Sequence, residues 1–336
     1  MRAACRSTIG LIATGRVVAD LQQLHGGYQM VLNIGGFGLS VTLSSFGAAL
    51  HVTFKGPVWD GFVRIVKKMR GTATQDSDAP GLPSDEENLS VTVSAANSEI
   101  LKQIKSTTWY HTLDFGNGIK TPGSFDHAPL LDQYKLPARL DGKRVLDVAT
   151  FDGFWAFEFE KRGAKEVFAL DLDRPADLDW PPKRRAQITE AEKALRFGRG
   201  FEIAKNQLKS SVQRVVCNVY DLEPEKFGMF DVVHSGDFLI HISNPVKALQ
   251  NMASVCKEYA LISDACFPDL DAVGVGPILI YHGGRDNPTW WWPSVNALEN
   301  MILDAGFSRV EMLNRFTHGY RARPGRWQHC VFKAYK

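Results

Sequence analysis

The stretch from Lys143 to Asp173 limits what this chain can fold into more than any other. It reads as strand, tight turn, helix, strand. Arg144-Val145-Leu146-Asp147-Val148-Ala149 is a short apolar run bounded by Gly142 and a turn, the pattern of a strand buried on both faces of a parallel sheet. From Phe154 the spacing becomes helical through Phe157, Glu158 and Lys161, and Gly163 closes the helix. A second apolar run, Val167 to Leu170, ends on Asp171. A glycine turn between strand and helix lets backbone approach a ligand, and the helix start offers unpaired N–H groups. An acidic residue closing the next strand, roughly 20 residues on, suits the hydroxyl pair of a ribose. The segment has the form of a nucleotide-cofactor half-site; the plain alternative is a βαβ crossover that binds nothing.

The turn itself narrows the cofactor. A dinucleotide site wants G-x-G-x-x-G, so that backbone can press on a pyrophosphate. Here the turn is Ala149-Thr150-Phe151-Asp152-Gly153, with one glycine and an added carboxylate. Carboxylate beside pyrophosphate is repulsive, whereas S-adenosylmethionine brings a sulfonium and an ammonium. V-L-D-V-A-T-F-D-G resembles motif I, V-L-D-[IV]-G-x-G-x-G, of class I S-adenosylmethionine-dependent methyltransferases. Ala149 and Phe151 stand where that family has its first two glycines, and Gly153 matches the third. The resemblance implies a doubly wound, seven-stranded, mostly parallel α/β sheet, the Rossmann-like methyltransferase fold. It also implies S-adenosyl-L-methionine bound by Asp147, Ala149, Thr150, Asp152, Gly153 and Asp171.

Composition excludes several other classes. The 336 residues are 44% hydrophobic and 23% charged, with a formal net charge of +2, which argues against a dominant nucleic-acid-binding field. Cys5, Cys217, Cys256, Cys266 and Cys330 lack ligand spacing, so a reduced, cytoplasmic chain with no metal site is expected. No window approaches the ~20 apolar residues of a membrane span, so no membrane partner is expected.

Residues 1–70 read as a β-rich N-terminal appendage of unassigned role. Apolar residues alternate at Met30, Leu32 and Ile34, at Leu39, Val41 and Leu43, and at Leu50, Val52 and Phe54, which predicts three short antiparallel strands. Gly71 to Asn88 is rich in Gly, Pro, Ser and acids, so residues 71–96 read as a linker and 97–336 as the catalytic domain.

Asn97 or Ser98 is expected to cap a helix through Lys105. Then Trp109-Tyr110-His111-Thr112-Leu113-Asp114-Phe115-Gly116-Asn117-Gly118-Ile119-Lys120-Thr121-Pro122-Gly123 resembles the W-Y-H-[ST]-[ILF]-[DE]-[LF]-x-x-G-x-x-T-P-G lead-in of a methyltransferase subgroup related to the tRNA wobble-uridine carboxymethyltransferases. Trp109 and Tyr110 either form a lid over the adenosyl group or staple this segment to the sheet. His111 is a candidate proton acceptor.

Farther on, the basic triplet Lys183-Arg184-Arg185 reads as solvated surface or a phosphate contact, and a helix is expected from about Thr189. Val215 to Val219 reads as the third strand. By the family pattern Asp221 would reach the adenine amino group; otherwise it caps a turn. Phe230 to Gly236 reads as the fourth strand and its exit turn, and the family pattern places Ser235 among the cofactor-binding residues. Asp237 to Pro245 resembles the family's L-x-H-x-x-x-P segment, which makes His241 the candidate general base or substrate orienter; the alternative is an imidazole satisfied by local backbone. Related carboxymethyltransferases carry a tyrosine just before that histidine, where this chain has Ile240. An apolar side chain cannot donate to the extra carboxylate, which favours plain methyl transfer. Ala260 to Asp264 is the fifth strand. A long insertion then carries Tyr281, His282, Arg285 and Trp290-Trp291-Trp292, which stack on an acceptor or pack beneath the last helix, Ser294 to Asp304. Phe307 to Leu313 and Trp327 to Phe332 read as a closing antiparallel hairpin.

The expected activity is methyl transfer to an O or N acceptor on a small molecule or natural product. The alternatives are a tRNA wobble-uridine (carboxy)methyltransferase and a non-catalytic binding module on the same fold. The oligomeric state is not legible.

Overall fold

The computed structural model describes residues 95–284, 288–322 and 325–336, together with the backbone of four strands before them. Those strands, β1 (Val17–Leu24), β2 (Gly27–Ile34), β3 (Phe37–Ser44) and β4 (Leu50–Lys55), pair in order as an antiparallel meander. The three expected strands correspond to β2–β4. The strand missed, β1, carries Asp20, Gln22 and Gln23 among its apolar residues, and the alternation there is too weak to read. The proposed 71–96 linker lies almost wholly outside the described residues.

The second sheet has the order β12-β13-β9-β8-β5-β6-β7. Its centre is β5 (Arg144–Val148), with β6 (Glu166–Asp171) and β7 (Gln213–Val216) on one side and β8 (Phe230–Gly236) and β9 (Cys256–Cys266) on the other, all parallel. The hairpin β12 (Arg309–Gly319) and β13 (Arg326–Tyr335) closes the sheet antiparallel against β9. Val145, Leu146 and Val148 are at most 1% exposed, as a strand covered on both faces requires. This is the doubly wound, Rossmann-like methyltransferase fold expected.

Helices cover both faces. One layer holds α1 (Ala95–Lys105), α2 (Phe154–Lys161) and α3 (Gly198–Leu208), packed through Trp155, Phe157, Phe159 and Phe201. The other holds α4 (Pro245–Val255) and α5 (Val295–Asp304), packed through Leu249, Met252, Leu298 and Ile302. Burying Phe157, Phe159 and Phe201, each at most 1% exposed, contributes roughly 2–3 kcal/mol apiece. Two of the boundaries that differ from expectation have a local cause. The third strand ends at Val216, because the Asn218 side chain accepts from the Tyr220 N–H at 3.0 Å and starts a 3-10 turn. The helix at Thr189 stops after one turn, Glu190–Lys193, despite a complete capping box, and α3 begins only at Gly198.

Two glycines are fixed by space. A Cβ on Gly123 would lie 2.0 Å from the His111 carbonyl carbon, where two chain segments cross. Gly153, at φ +92°, caps α2, and a Cβ there would strike the Phe157 and Phe201 rings. Gly123→Ala is therefore expected to destabilise the protein by about 4 kcal/mol, among the largest single-site effects, read from the urea midpoint.

Candidate active site at the carboxyl ends of the strands

The turn after β5 keeps its shape without its glycines. Ala149 at φ +62° and Phe151 at φ +49° are left-handed, as is Gly153. Each non-glycine residue in that region costs roughly 1–2 kcal/mol, so the surroundings must enforce it. Two contacts do so: the Ala149 N–H bonds the Leu170 carbonyl at 2.8 Å, and the Phe151 N–H bonds Asp171 Oδ2 at 2.6 Å. Asp171 Oδ1 also accepts from the Leu172 N–H at 2.7 Å. Burial raises the Asp171 carboxyl to about 6, while those backbone donors hold it down. Asp171 is thus first a brace for the turn.

Asp152 is wholly buried and already engaged. Its Oδ2 accepts from the Tyr110 and His111 N–H groups, each at 2.9 Å, and its Oδ1 meets His111 Nδ1. The lead-in is thereby pinned to the turn. Within it the Thr121 hydroxyl donates to the His111 carbonyl and accepts from the Leu113 N–H, and Gly123 passes beneath His111. That accounts for the spacing between W-Y-H and T-P-G. Trp109 is 5% exposed, donates from Nε1 to the Ile104 carbonyl and stands edge-on to Phe115. Of the two readings of Trp109, lid or staple, the contacts are those of a staple. Tyr110 is different: its half-buried ring lies 5.6 Å from Phe151 and 4.7 Å from Phe125.

The other expected site residues divide. Asp147 is 1% exposed beneath α2, with Oδ1 2.7 Å from His234 Nδ1 on the adjacent strand; its Oδ2 has no partner. Ser235 points to the opposite face, buried with an unpartnered hydroxyl. Thr150 is likewise buried with its hydroxyl unpartnered. Asp221 is exposed at the end of the 3-10 turn that Asn218, rather than Asp221, caps. His241 is half-buried. Its Nδ1 lies 3.1 Å from the Pro288 carbonyl, which only accepts, so Nδ1 carries the proton and Nε2 the lone pair. Burial lowers the His241 pKa below 6.5, against the pull of that carbonyl.

The insertion docks on this segment. The Trp290 N–H bonds the Ile240 carbonyl at 2.8 Å, Trp291 Nε1 donates to the Ile242 carbonyl, and Trp290 Nε1 donates to the Asp179 carbonyl. Strands β10 (Leu279–Tyr281) and β11 (Trp291–Pro293) form its small hairpin. Tyr281 is 52% exposed, beside Trp290 and Trp291, whereas Trp292 packs on Phe267 and His282. Arg285 lies outside the described residues. Ile240 lines an apolar seam with Leu279, Trp291 and Pro293. Lys183 and Arg185 are exposed, while Arg184 pairs with Glu192 at 2.7 Å.

Sequence reasoning missed Asp237. It sits at φ +50° just past β8, and its Oδ1 lies 2.7 Å from Nε2 of the buried His329 on β13. A row of buried imidazoles, His111, His127, His318 and His329, follows, with ring centroids 5.1, 4.6 and 5.5 Å apart. These histidines lie far apart in the chain, and only the sheet order unites them. A hollow of about 370 Å³ lined by Lys135, Tyr259, Glu311, Lys333 and Tyr335 lies at the other end of the strands, away from all of these groups. Among the described residues no group of His, Cys, Asp and Glu is arranged to hold a metal ion, and no helix is long and apolar enough to cross a membrane.

The family model described as a methyltransferase domain matches residues 146–262, from β5 into β9. This match places a methyltransferase domain on residues 146–262 of the chain. Among solved structures, the N-terminal domain of EvdMO1, crystallised in the presence of SAH and D-fucose, matches with a TM-score of 0.48 and 17% identity over 73% of this chain and 98% of that one. Magnesium protoporphyrin IX methyltransferase from Synechocystis PCC 6803, with bound SAH, matches at 0.41 and 14%, over 83% and 94%. An S-adenosylmethionine-dependent methyltransferase from Mesorhizobium loti matches at 0.37 and 14%, over 62% and 97%. No curated protein matches the chain.

The Asp152 contacts carry a prediction. Asp152→Ala leaves two backbone N–H groups and a buried imidazole without their acceptor and should cost about 3–5 kcal/mol. Limited proteolysis should then cut between Trp109 and Phe125, where the native protein resists.

Proposed function

We propose that the chain transfers a methyl group to an oxygen or nitrogen acceptor on a small molecule, with the acceptor held between the Trp290–Trp291 platform and His241. The observation that carries this reading is the hydrogen bond from His241 Nδ1 to the Pro288 carbonyl, which leaves Nε2 as the unprotonated face of the ring. The cofactor residues fit S-adenosylmethionine by charge and shape. The left-handed turn leads into the start of α2, which has no side-chain cap; the Thr150 and Ser235 hydroxyls are unpartnered; and Asp171, Asp147 and Asp237 supply carboxylates rather than cations. Asp171 would hold the ribose, the 149–153 turn the amino-acid moiety, and Asp221 the adenine edge. When bound, the cofactor supplies a methyl group already activated by the sulfonium. The chain's own contribution is orientation and water exclusion, with His241 Nε2 receiving the acceptor proton. The exposed ring of Tyr281, with Trp290 and Trp291, offers a stacking surface for a planar acceptor.

A tRNA substrate is the second reading, supported by the Trp109–Gly123 resemblance and by exposed Lys183 and Arg185; it requires RNA binding that weakens steeply with salt. Ile240 bears on the group transferred: with an apolar residue in that seam, methyl rather than carboxymethyl transfer is favoured. The division into residues 1–70, 71–96 and 97–336, and a cytoplasmic location, complete the proposal.

Isothermal titration should show S-adenosylmethionine and its demethylated product binding below about millimolar; no heat from either would remove the enzyme reading. The second expectation concerns pH. Because the His241 pKa is depressed, the imidazole is neutral and able to accept a proton at pH 7 and loses that capacity only as pH falls below 6.5. The rate of label transfer from S-adenosyl-[methyl-³H]methionine to acceptors in cell extract should fall along an acid limb below 6.5. In His241→Gln the rate should drop about 100-fold and that limb should disappear. An unchanged profile would deny His241 its role.

A further inference from the structure

We propose that Asp237, positioned by His329 at the end of β8, receives an ammonium group of a bound ligand. The proposal rests on the methyltransferase reading and adds a ligand chemistry to the same crevice.

Asp237 follows Gly236, the last residue of β8, at the point where the strand order of the sheet reverses and α/β sheets take their ligands. Its left-handed backbone is an unusual place for a non-glycine residue, so the side chain is held there at a conformational cost. One carboxylate oxygen meets Nε2 of His329, whose side chain is 1% exposed, while the Asp237 side chain retains 14% exposure. The buried partner thus fixes the carboxylate from behind and leaves it reachable from the crevice. His329 keeps the Asp237 carboxyl well below the usual carboxylate range despite burial, and the same pairing raises the His329 imidazole.

The local charge favours a cation. The buried Asp152 and Asp147 and the partly exposed Asp237 each face one imidazole, in Asp152–His111, Asp147–His234 and Asp237–His329, whereas Asp264 is ion-paired with none. Asp264 instead takes the Phe238, Leu239 and Ala265 N–H groups, and burial together with the Asp237 charge lifts it to about 7. A ligand positive charge would relieve this excess. Aromatic rings gather behind this pair: Trp327 lies 6.0 Å from His329, and the half-buried Tyr110, Tyr320 and Trp327 rings adjoin Phe125 at 4.7, 5.0 and 6.1 Å. The floor has an unused polar group: the Ser263 hydroxyl, buried and unpartnered, lies 3.4 Å from the position a Gly236 Cβ would take.

Two sources share this chemistry, the amino-acid end of the cofactor and an amine on the acceptor. The test uses the full chain with Asp237→Asn and Asp237→Gly. Glycine suits φ +50°, so its thermal midpoint should stay at or above that of the native protein, which separates folding from binding. S-adenosylhomocysteine, 5′-methylthioadenosine (which lacks the ammonium) and tyramine are titrated calorimetrically. If the cofactor is the source, both variants weaken S-adenosylhomocysteine tenfold or more and leave 5′-methylthioadenosine within twofold. If the acceptor is the source, both nucleosides are unaffected, and tyramine, bound by the native chain, no longer binds either variant. Equal loss for both nucleosides, or no loss for any probe, overturns the proposal. Should the native chain bind neither nucleoside, the cofactor reading fails, and the tyramine titration alone decides Asp237.

Discussion

The seven-stranded sheet and its turns depend on one buried carboxyl group. Asp152 lies in the turn that follows the central strand, and it holds the first two residues after Trp109 by their backbone N–H groups and His111 by its ring. A carboxyl group at that depth is tolerated only because donors surround it. The consequence is architectural. The lead-in from Trp109 to Phe125 cannot leave the turn without stripping Asp152 of its partners, and the turn cannot relax from its left-handed shape without moving the lead-in. Each defines the other.

This coupling explains how the motif functions with one glycine. The familiar role of glycine in such turns is to permit positive φ at no steric cost. Ala149 and Phe151 adopt the same region at a cost, and that cost is offset by Asp171 below and by the lead-in above. The Phe151 ring, which glycine would not supply, stands beside Tyr110 and Phe197. The substitution therefore changes the lining of the site while leaving the backbone path intact, and a departure from the family pattern is poor evidence of lost function here.

Legibility followed the range of the interactions. The order β5, α2, β6 could be read because apolar period and turn residues are local, and the fourth strand was found where expected, although the residues read as its exit turn, up to Gly236, are still strand. Local competition defeated the reading elsewhere: Asn218 ended β7 early by capping, and the helix at Thr189 stopped after one turn. In the site, Asp152 looked like a cofactor carboxylate, because a sequence shows its type and place but not that His111, 41 residues earlier, already occupies it. The histidine row was invisible for the same reason. His127, His318 and His329 meet only because β12 and β13 close the sheet and bring a distant hairpin against the lead-in.

That closure also decides how the crevice is charged. In a parallel sheet the carboxyl ends gather side chains from every strand, and here three buried aspartates, Asp147, Asp152 and Asp264, join the partly exposed Asp237. Left alone they would repel, and their pKa values would climb until some were neutral. Asp264 takes that course, whereas Asp237 escapes it through His329. The fold thus keeps one carboxylate reachable and ionised beside a second that is close to neutral. His329 already balances that pair in part, and a sulfonium or ammonium reaching Asp237 would be favoured by the negative charge that remains. The antiparallel hairpin, which in a plain doubly wound sheet would only cover an edge, therefore sets the electrostatic preference of the site through its imidazoles.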